Sequence, residues 1–282
     1  MKNVQSILVA FILAVICNGC TMVDVSEQQD AKTLGEGKYS LLFSAAYSPT
    51  IDLFDRGNPQ TAHGYNPPVL PFAIPTELRG LYGVSNHHDI GLTIWSSSAP
   101  WAAVSLPYSF DIGARFNWKW MLTDTSSRHK FAINTSFSYY IAEGAEERVS
   151  YNDYGGTRQK YSITSSFVGI AFIYSFHPDS KKIESIYFGV KPMYLTYSGV
   201  VDSNVRGTMW ADYHYDNDPN YPIVRIKGTM TTFSPFIGIK FKEQISPYFP
   251  FNSIEIMPTY RIFDGSIKSV GFSLAIGIHW FL

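Results

Sequence analysis

The sequence predicts an all-β chain: a transmembrane antiparallel up-and-down β-barrel of about ten strands, with eight or twelve as the neighbouring counts. Three observations carry that expectation. Large apolar residues alternate with small or polar ones along many strand-length segments. The connections between those segments are short and long in turn. Beyond residue 20, no stretch has the ~18 apolar residues that a membrane helix needs.

The carboxy-terminal segment shows the pattern most clearly. Phe272, Leu274, Ile276, Ile278, Trp280 and Leu282 fall on one face, and Ser273, Ala275, Gly277, His279 and Phe281 on the other. Side chains alternate faces along a strand, so a period of two gives one apolar face and one smaller, wetter face. Nine earlier segments qualify by the same alternation: residues 39–47, 77–84, 89–95, 110–122, 131–141, 166–176, 186–196, 229–242 and 253–262. In the first, Tyr39, Leu41, Phe43, Ala45 and Tyr47 point outward; in the third, Ile90, Leu92 and Ile94 do. The fourth sets Phe110, Ile112, Ala114, Phe116, Trp118 and Trp120 against Asp111, Gly113, Arg115, Asn117 and Lys119. Pro192, Pro235 and Pro258 fall inside strands. A proline cannot donate to the ladder, so bulges or shifted boundaries are expected there.

Connections 85–88, 123–130, 177–185 and 243–252 are short. Connections 48–76, 96–109, 142–165 and 197–228 are mostly longer, and 263–268 is short again. Membrane barrels put short turns on the periplasmic side and longer loops outside, with an even number of strands. Ten strands with both ends on the periplasmic side satisfy this. Closure has a physical reason: in hydrocarbon every backbone N–H and C=O needs a partner within the sheet, and only a closed barrel has no edges. Tyr39, Tyr47, Trp118, Trp120, Tyr139, Tyr194, Tyr260 and Trp280 sit near strand ends on the outward face, where amphipathic rings favour the headgroup region. A lipid-tethered soluble β-barrel would alternate too, with its apolar face inward and a richly charged face outward. Here the face opposite the apolar one is often Gly, Ala, Ser and Thr, which fits a narrow lumen.

The same alternation directs charges inward: Glu77, Arg79, Asp89, Asp111, Arg115, Lys119, Lys191, Lys240, Glu255 and Arg261. Six are basic and four acidic. Buried charges need partners, so these side chains are expected to pair across the lumen as a polar plug, leaving little or no ion conductance.

The composition fits a membrane wall. Aromatics make up 16% of the chain, with 19 Tyr and 20 Phe, and only 16% is charged. Residues 1–19 contain Lys2 and no acid, so cleavage after them takes the formal charge from −1 to −2. That balance gives no basic stripe for nucleic acid.

At the amino end, residues 6–17 (SILVAFILAVIC) have the length of a signal h-region and end in Cys17-Asn18-Gly19-Cys20. Gly19-Cys20 resembles the bacterial lipoprotein signal, in which a small residue precedes the lipidated cysteine. Cys17 and Asn18 depart from the usual residues before it. The resemblance implies cleavage after residue 19, a lipid on Cys20, and outer-membrane sorting, since Thr21 rather than Asp follows. An ordinary secretory signal is the alternative. Cys17 and Cys20 are the only cysteines, so the cleaved chain has no intrachain disulfide. Residues 20–38 are polar and aperiodic and read as a lipidated, flexible tether, with residues 39–282 forming the barrel.

The stretch Leu81-Tyr82-Gly83-Val84-Ser85-Asn86-His87-His88-Asp89-Ile90-Gly91-Leu92 is similar to a hairpin common in bacterial outer-membrane proteins. The terminal strand resembles their assembly signal, with Leu282 in place of the usual final aromatic. The resemblance implies outer-membrane lipid and the outer-membrane assembly machinery as partners.

Catalytic material is sparse. Asp212-Tyr213-His214 contains an Asp-x-His pair that can orient an imidazole as a general base. It is similar to the Asp–His pair of the ten-stranded omptin proteases, whose chemistry also needs a second acidic pair across the cleft. Glu143, Glu146, Glu147 and Asp153 are the generic candidates. Asp216-x-Asp218 lacks the rest of a calcium-loop pattern. No cofactor motif is present, and His87 and His88 read as solvated turn residues. The segment 52–75 holds five prolines with Phe54, Tyr65 and Phe72, a stiff aromatic loop suited to contact. The expectation is a non-enzymatic outer-membrane barrel acting structurally or through its external loops. The alternatives are a small-solute channel, an omptin-like surface hydrolase and a periplasmic lipid-anchored soluble barrel.

Overall fold

The computed structural model describes residues 21–22, 27–49, 51–52, 72–73, 76–96, 109–148, 156–208, 211–214, 223–245, 251–263 and 266–281. Ten antiparallel strands form the wall: β1 (Tyr39–Pro49), β2 (Thr76–Gly83), β3 (His88–Ser96), β4 (Ser109–Met121), β5 (His129–Arg148), β6 (Gly156–Phe176), β7 (Ile183–Thr208), β8 (Ile223–Phe241), β9 (Ser253–Phe263) and β10 (Ser266–Phe281). Each pairs with its neighbours in sequence, and β10 pairs with β1 along the seam, from Leu274 opposite Tyr47 to Phe281 opposite Ser40. The sheet is thus a closed up-and-down barrel. Three short pieces add to it: Phe72–Ala73 beside the end of β1, Ala211–His214 beside the end of β7, and Thr21–Met22 paired with Ile51–Asp52.

The wall is apolar outside and polar inside, the reverse of a soluble barrel. Leu92, Phe116, Phe137, Val168, Phe172 and Ile237 are exposed, while Arg79, Thr93, Asn117, Lys191, Ser234 and Glu255 are buried. Such an exterior is stable where it faces hydrocarbon rather than water, so the barrel is a membrane barrel and not a soluble one. Rings gather at the short-turn end of the wall. Tyr39 packs on Tyr82 with centroids 4.8 Å apart, and Tyr174 on both Phe131 and Phe188 at 4.9 and 4.8 Å. His88, expected to be solvated, stacks on Trp120 and accepts the indole N–H of Trp118 at 3.2 Å. These form one interfacial girdle.

Two expectations need correction. Segments 142–165 and 197–228, read as loops, contain long strand extensions: β5 reaches Arg148, β6 starts at Gly156, β7 reaches Thr208 and β8 starts at Ile223. β7 has 26 residues, where a tilted crossing needs about 9–11. β5 to β8 therefore rise past the bilayer as a collar on the long-loop side. The prolines produce no register shift either. The shifts lie at Ile183/Ser185, Asp202/Val205 and Arg261/Ile262. Instead each proline drops out of the ladder on one side, while Val190–Pro235, Pro192–Phe233 and Pro258–Phe272 stay paired on the other. β8 pairs with β9 at Phe233–Tyr260 and resumes at Ile237–Ile256, which sets Pro235 opposite Pro258. Between β6 and β7 the ladder skips from Val190–Phe172 to Met193–Gly169, at Pro192. Two facing prolines lose the same rung, so the register survives at the cost of that rung.

Candidate functional site

Alternation assigns the inner face, and the structure fills it. Glu77 sits between two guanidinium groups, receiving Arg79 at 2.9 Å and Arg115 at 3.4 Å. Lys119 pairs with Asp89 at 3.1 Å across the β3–β4 ladder. Asp111 accepts from Ser96 at 2.9 Å and from the Tyr140 hydroxyl at 3.1 Å. Lys191, Lys240, Glu255 and Arg261 are also buried. These contacts run mostly along the wall rather than straight across the lumen.

What crosses the lumen is the chain itself. Residues 27–34, read as part of a flexible tether, lie inside the barrel, with Glu27, Gln28, Gln29, Asp30, Ala31 and Thr33 all buried. The physical reason is that a ten-stranded barrel is wider than the ~8 strands whose side chains fill their own interior, leaving room for one extended segment. The segment is held by backbone and by charge. Glu255 accepts the consecutive N–H groups of Glu27 at 2.8 Å and Gln28 at 2.6 Å, and the Tyr187 hydroxyl at 3.2 Å. The Glu27 carboxylate accepts from Asn134 and faces Lys191 at 3.7 Å, while its carbonyl accepts from Arg79. Asp30 accepts from Ser185 at 2.8 Å and lies 4.0 Å from Lys240. Ala31 donates to Ser175 and joins a small apolar cluster with Ala132, Ala171, Ile173, Tyr187, Phe236 and Met257. Nearer the rim, the Lys32 carbonyl accepts from Lys119 at 2.7 Å, Leu34 N–H donates to Asp89, and Thr33 donates to the Asn86 carbonyl.

Sequence reasoning missed Glu27 and Asp30, although a signal existed. The ten inward charges leave an excess of two cations, and these are two buried carboxylates that meet Lys191 and Lys240.

Glycines let the segment in. Gly35 and Gly37 have φ of +89° and +75°, conformations that only glycine adopts cheaply, and they turn the chain over the rim. A Cβ on Gly83 would lie 1.9 Å from the Gly35 carbonyl oxygen. Gly83→Ala is therefore expected to push residues 35–38 off the rim and destabilise the barrel by about 1–3 kcal/mol. The check is the urea midpoint of the refolded protein against wild type; an unchanged midpoint would mean that the rim contact carries no energy.

His177 lies in the turn between β6 and β7, its Nε2 3.1 Å from the Ser175 hydroxyl that holds Ala31. Burial pushes its imidazole below the ordinary 6.5; Asp30 opposes this, and Lys32, Lys130 and Lys240 add to it. A depressed histidine favours its neutral form in the fold, so its contribution is complete above about pH 6.5 and is lost as pH falls through the folded-state value. The unfolding midpoint should fall on acidification below that pH, less steeply in His177→Asn. Parallel curves would refute the linkage.

The catalytic candidates are less well assembled. Asp212 and His214 lie on the short strand paired with β7, opposite Gly207 and Val205. Val205 pairs with Arg158, and Arg158 with Glu147. The acids of β5 thus stand three strand spacings from His214 along one wall, about 14 Å, instead of facing it across a cleft. Glu143 accepts from Ser162 at 3.4 Å. Asp153, Asp216, Asp218, most of the 52–75 loop and residues 1–20, with Cys20, lie outside the described residues. Among the described residues no group of three His, Cys, Asp or Glu is placed to hold a metal ion.

No protein-family model matches the chain, and no curated protein sequence matches it. Solved structures do. The translocator domain of the autotransporter NalP from Neisseria meningitidis is 8% identical, covering 99% of this chain and 95% of its own, with a TM-score of 0.42. Ail, the attachment invasion locus protein of Yersinia pestis, is 14% identical over 87% of this chain and 99% of its own, with a TM-score of 0.28. A deltaS2S3 mutant of TodX, a monoaromatic hydrocarbon channel, is 7% identical over 94% and 75%, with a TM-score of 0.32.

Proposed function

We propose that this protein is a bacterial outer-membrane barrel, lipid-anchored at Cys20, with a closed lumen and no catalytic centre. It serves as a structural or surface-contacting component. The observation that carries this reading is the occupied lumen. An extended segment fills it, tied to Arg79, Asn134, Lys191, Ser185 and Glu255 on four different strands. A conduction path needs water along its length, and here carboxylates, amides and an apolar cluster stand in that path. The collar of β5 to β8 supplies the contact surface above the bilayer.

Planar-bilayer recording tests this. The intact protein is expected to give little or no conductance, and a variant lacking residues 27–34 a stable open channel. Large, stable conductance from the intact protein would overturn the reading in favour of a small-solute channel.

A further inference from the structure

The direction of the lumen segment has a topological result. From Thr33 to Gln28 the contacts stay near the short-turn rim, and at Glu27 they climb into the barrel. The Lys38 carbonyl accepts from Gly83 at the short-turn rim. Thr33 reaches Asn86, in the turn between β2 and β3. Lys32 reaches Lys119, two residues inside β4. Glu27 reaches Asn134, five residues into β5, and Lys191, eight residues into β7. The chain therefore runs from the short-turn mouth upward as it is followed back toward its start. At the far end, Thr21 and Met22 pair with Asp52 and Ile51. Those two residues follow β1 past Pro49, on the long-loop side. The five peptide units between Met22 and Glu27 span up to ~18 Å, more than half of a ~30 Å hydrocarbon layer.

We propose that the chain threads its own barrel and presents its amino-terminal end on the external side, beside the first long loop. Cys20 is one peptide bond before Thr21. A lipid on that cysteine would then insert into the leaflet at the long-loop mouth, and the anchor would sit on the opposite side of the membrane from the rim where Lys38 enters. This rests on the outer-membrane reading, with short turns periplasmic.

The test is cysteine labelling with a membrane-impermeant maleimide, on intact cells and after outer-membrane permeabilisation. Three single variants of the full chain are used: Met22→Cys at the amino-terminal end, Ile51→Cys beside it, and Thr125→Cys in the short turn between β4 and β5. Wild type reports Cys20, which reacts only if its thiol is unmodified. Met22→Cys and Ile51→Cys are expected to label on intact cells, and Thr125→Cys only after permeabilisation. If Ile51→Cys labels outside while Met22→Cys behaves like Thr125→Cys, threading is refuted and the barrel orientation stands. If Thr125→Cys alone labels on intact cells, the orientation is reversed and the external placement of the amino-terminal end is overturned. Should Met22→Cys fail to accumulate, protease shaving of an epitope inserted after Met22 reads the same side, with protection on intact cells overturning the proposal.

Discussion

Arg79→Met is expected to cost the folded barrel about 3–5 kcal/mol, the usual penalty for breaking a buried ion pair from one side. The guanidinium is fully buried. It donates to the Glu77 carboxylate at 2.9 Å, to the Thr93 hydroxyl at 3.2 Å and to the Glu27 carbonyl. Methionine fills much of the volume and none of these roles. Glu77 would keep only the longer contact from Arg115 at 3.4 Å, and the lumen segment would lose its tie to β2. The penalty comes from stranded partners, so the double variant Glu77→Gln, Arg79→Met should recover part of it. Urea unfolding of protein refolded in vesicles measures both. The temperature at which the unboiled gel band shifts to the boiled position gives an independent ranking. A single variant within about 0.5 kcal/mol of wild type would refute the central role of this side chain.

Phe137→Arg is the second large effect, of about 2–4 kcal/mol, the cost of a cation on the lipid face near the bilayer centre. Phe137 is 55% exposed, and its ladder partners Phe116 and Val168 are outward and exposed too. It lies well inside the apolar band, away from the girdle rings Phe131 and Tyr174. In a soluble barrel the same change at an exposed site would be nearly free. The unfolding free energy in vesicles separates the two, and a neutral result would mean that this wall does not face hydrocarbon.

The alternation made the wall legible because it is a one-dimensional signal. Along residues 110–122 every second residue announces its side, and the structure exposes Phe116, Trp118 and Trp120 while burying Arg115, Asn117 and Lys119. The collar was hidden because both faces of a strand above the bilayer meet water. Around Ser198 and Lys227 polarity no longer alternates, and the stretch reads as loop although it pairs in register. The lumen segment was hidden for a different reason. An extended peptide surrounded on all sides has no apolar face, so it has no period. Its contacts use its own N–H groups and two carboxylates. Only the unbalanced wall charges and the glycines at 35 and 37 pointed to it. The catalytic candidates were legible as residue types but not as geometry, since the spacing of Asp212 and His214 says nothing about which strand stands beside them.

The facing prolines have a mechanical consequence. Resistance to sliding between two strands comes from the rungs that join them, and Pro235 and Pro258 remove rungs from one height of the wall. Pro192 does the same two strands away, where β6 meets β7. The Ser234 and Thr259 hydroxyls bridge part of the first interruption at 2.9 Å, from the lumen side. The cylinder therefore has two soft seams, β6–β7 and β8–β9, flanking the continuous β7–β8 ladder, and under lateral pressure its cross-section should flatten toward an ellipse there before any other strand pair yields. Backbone amides along those seams should exchange with solvent ahead of those in β2 to β5.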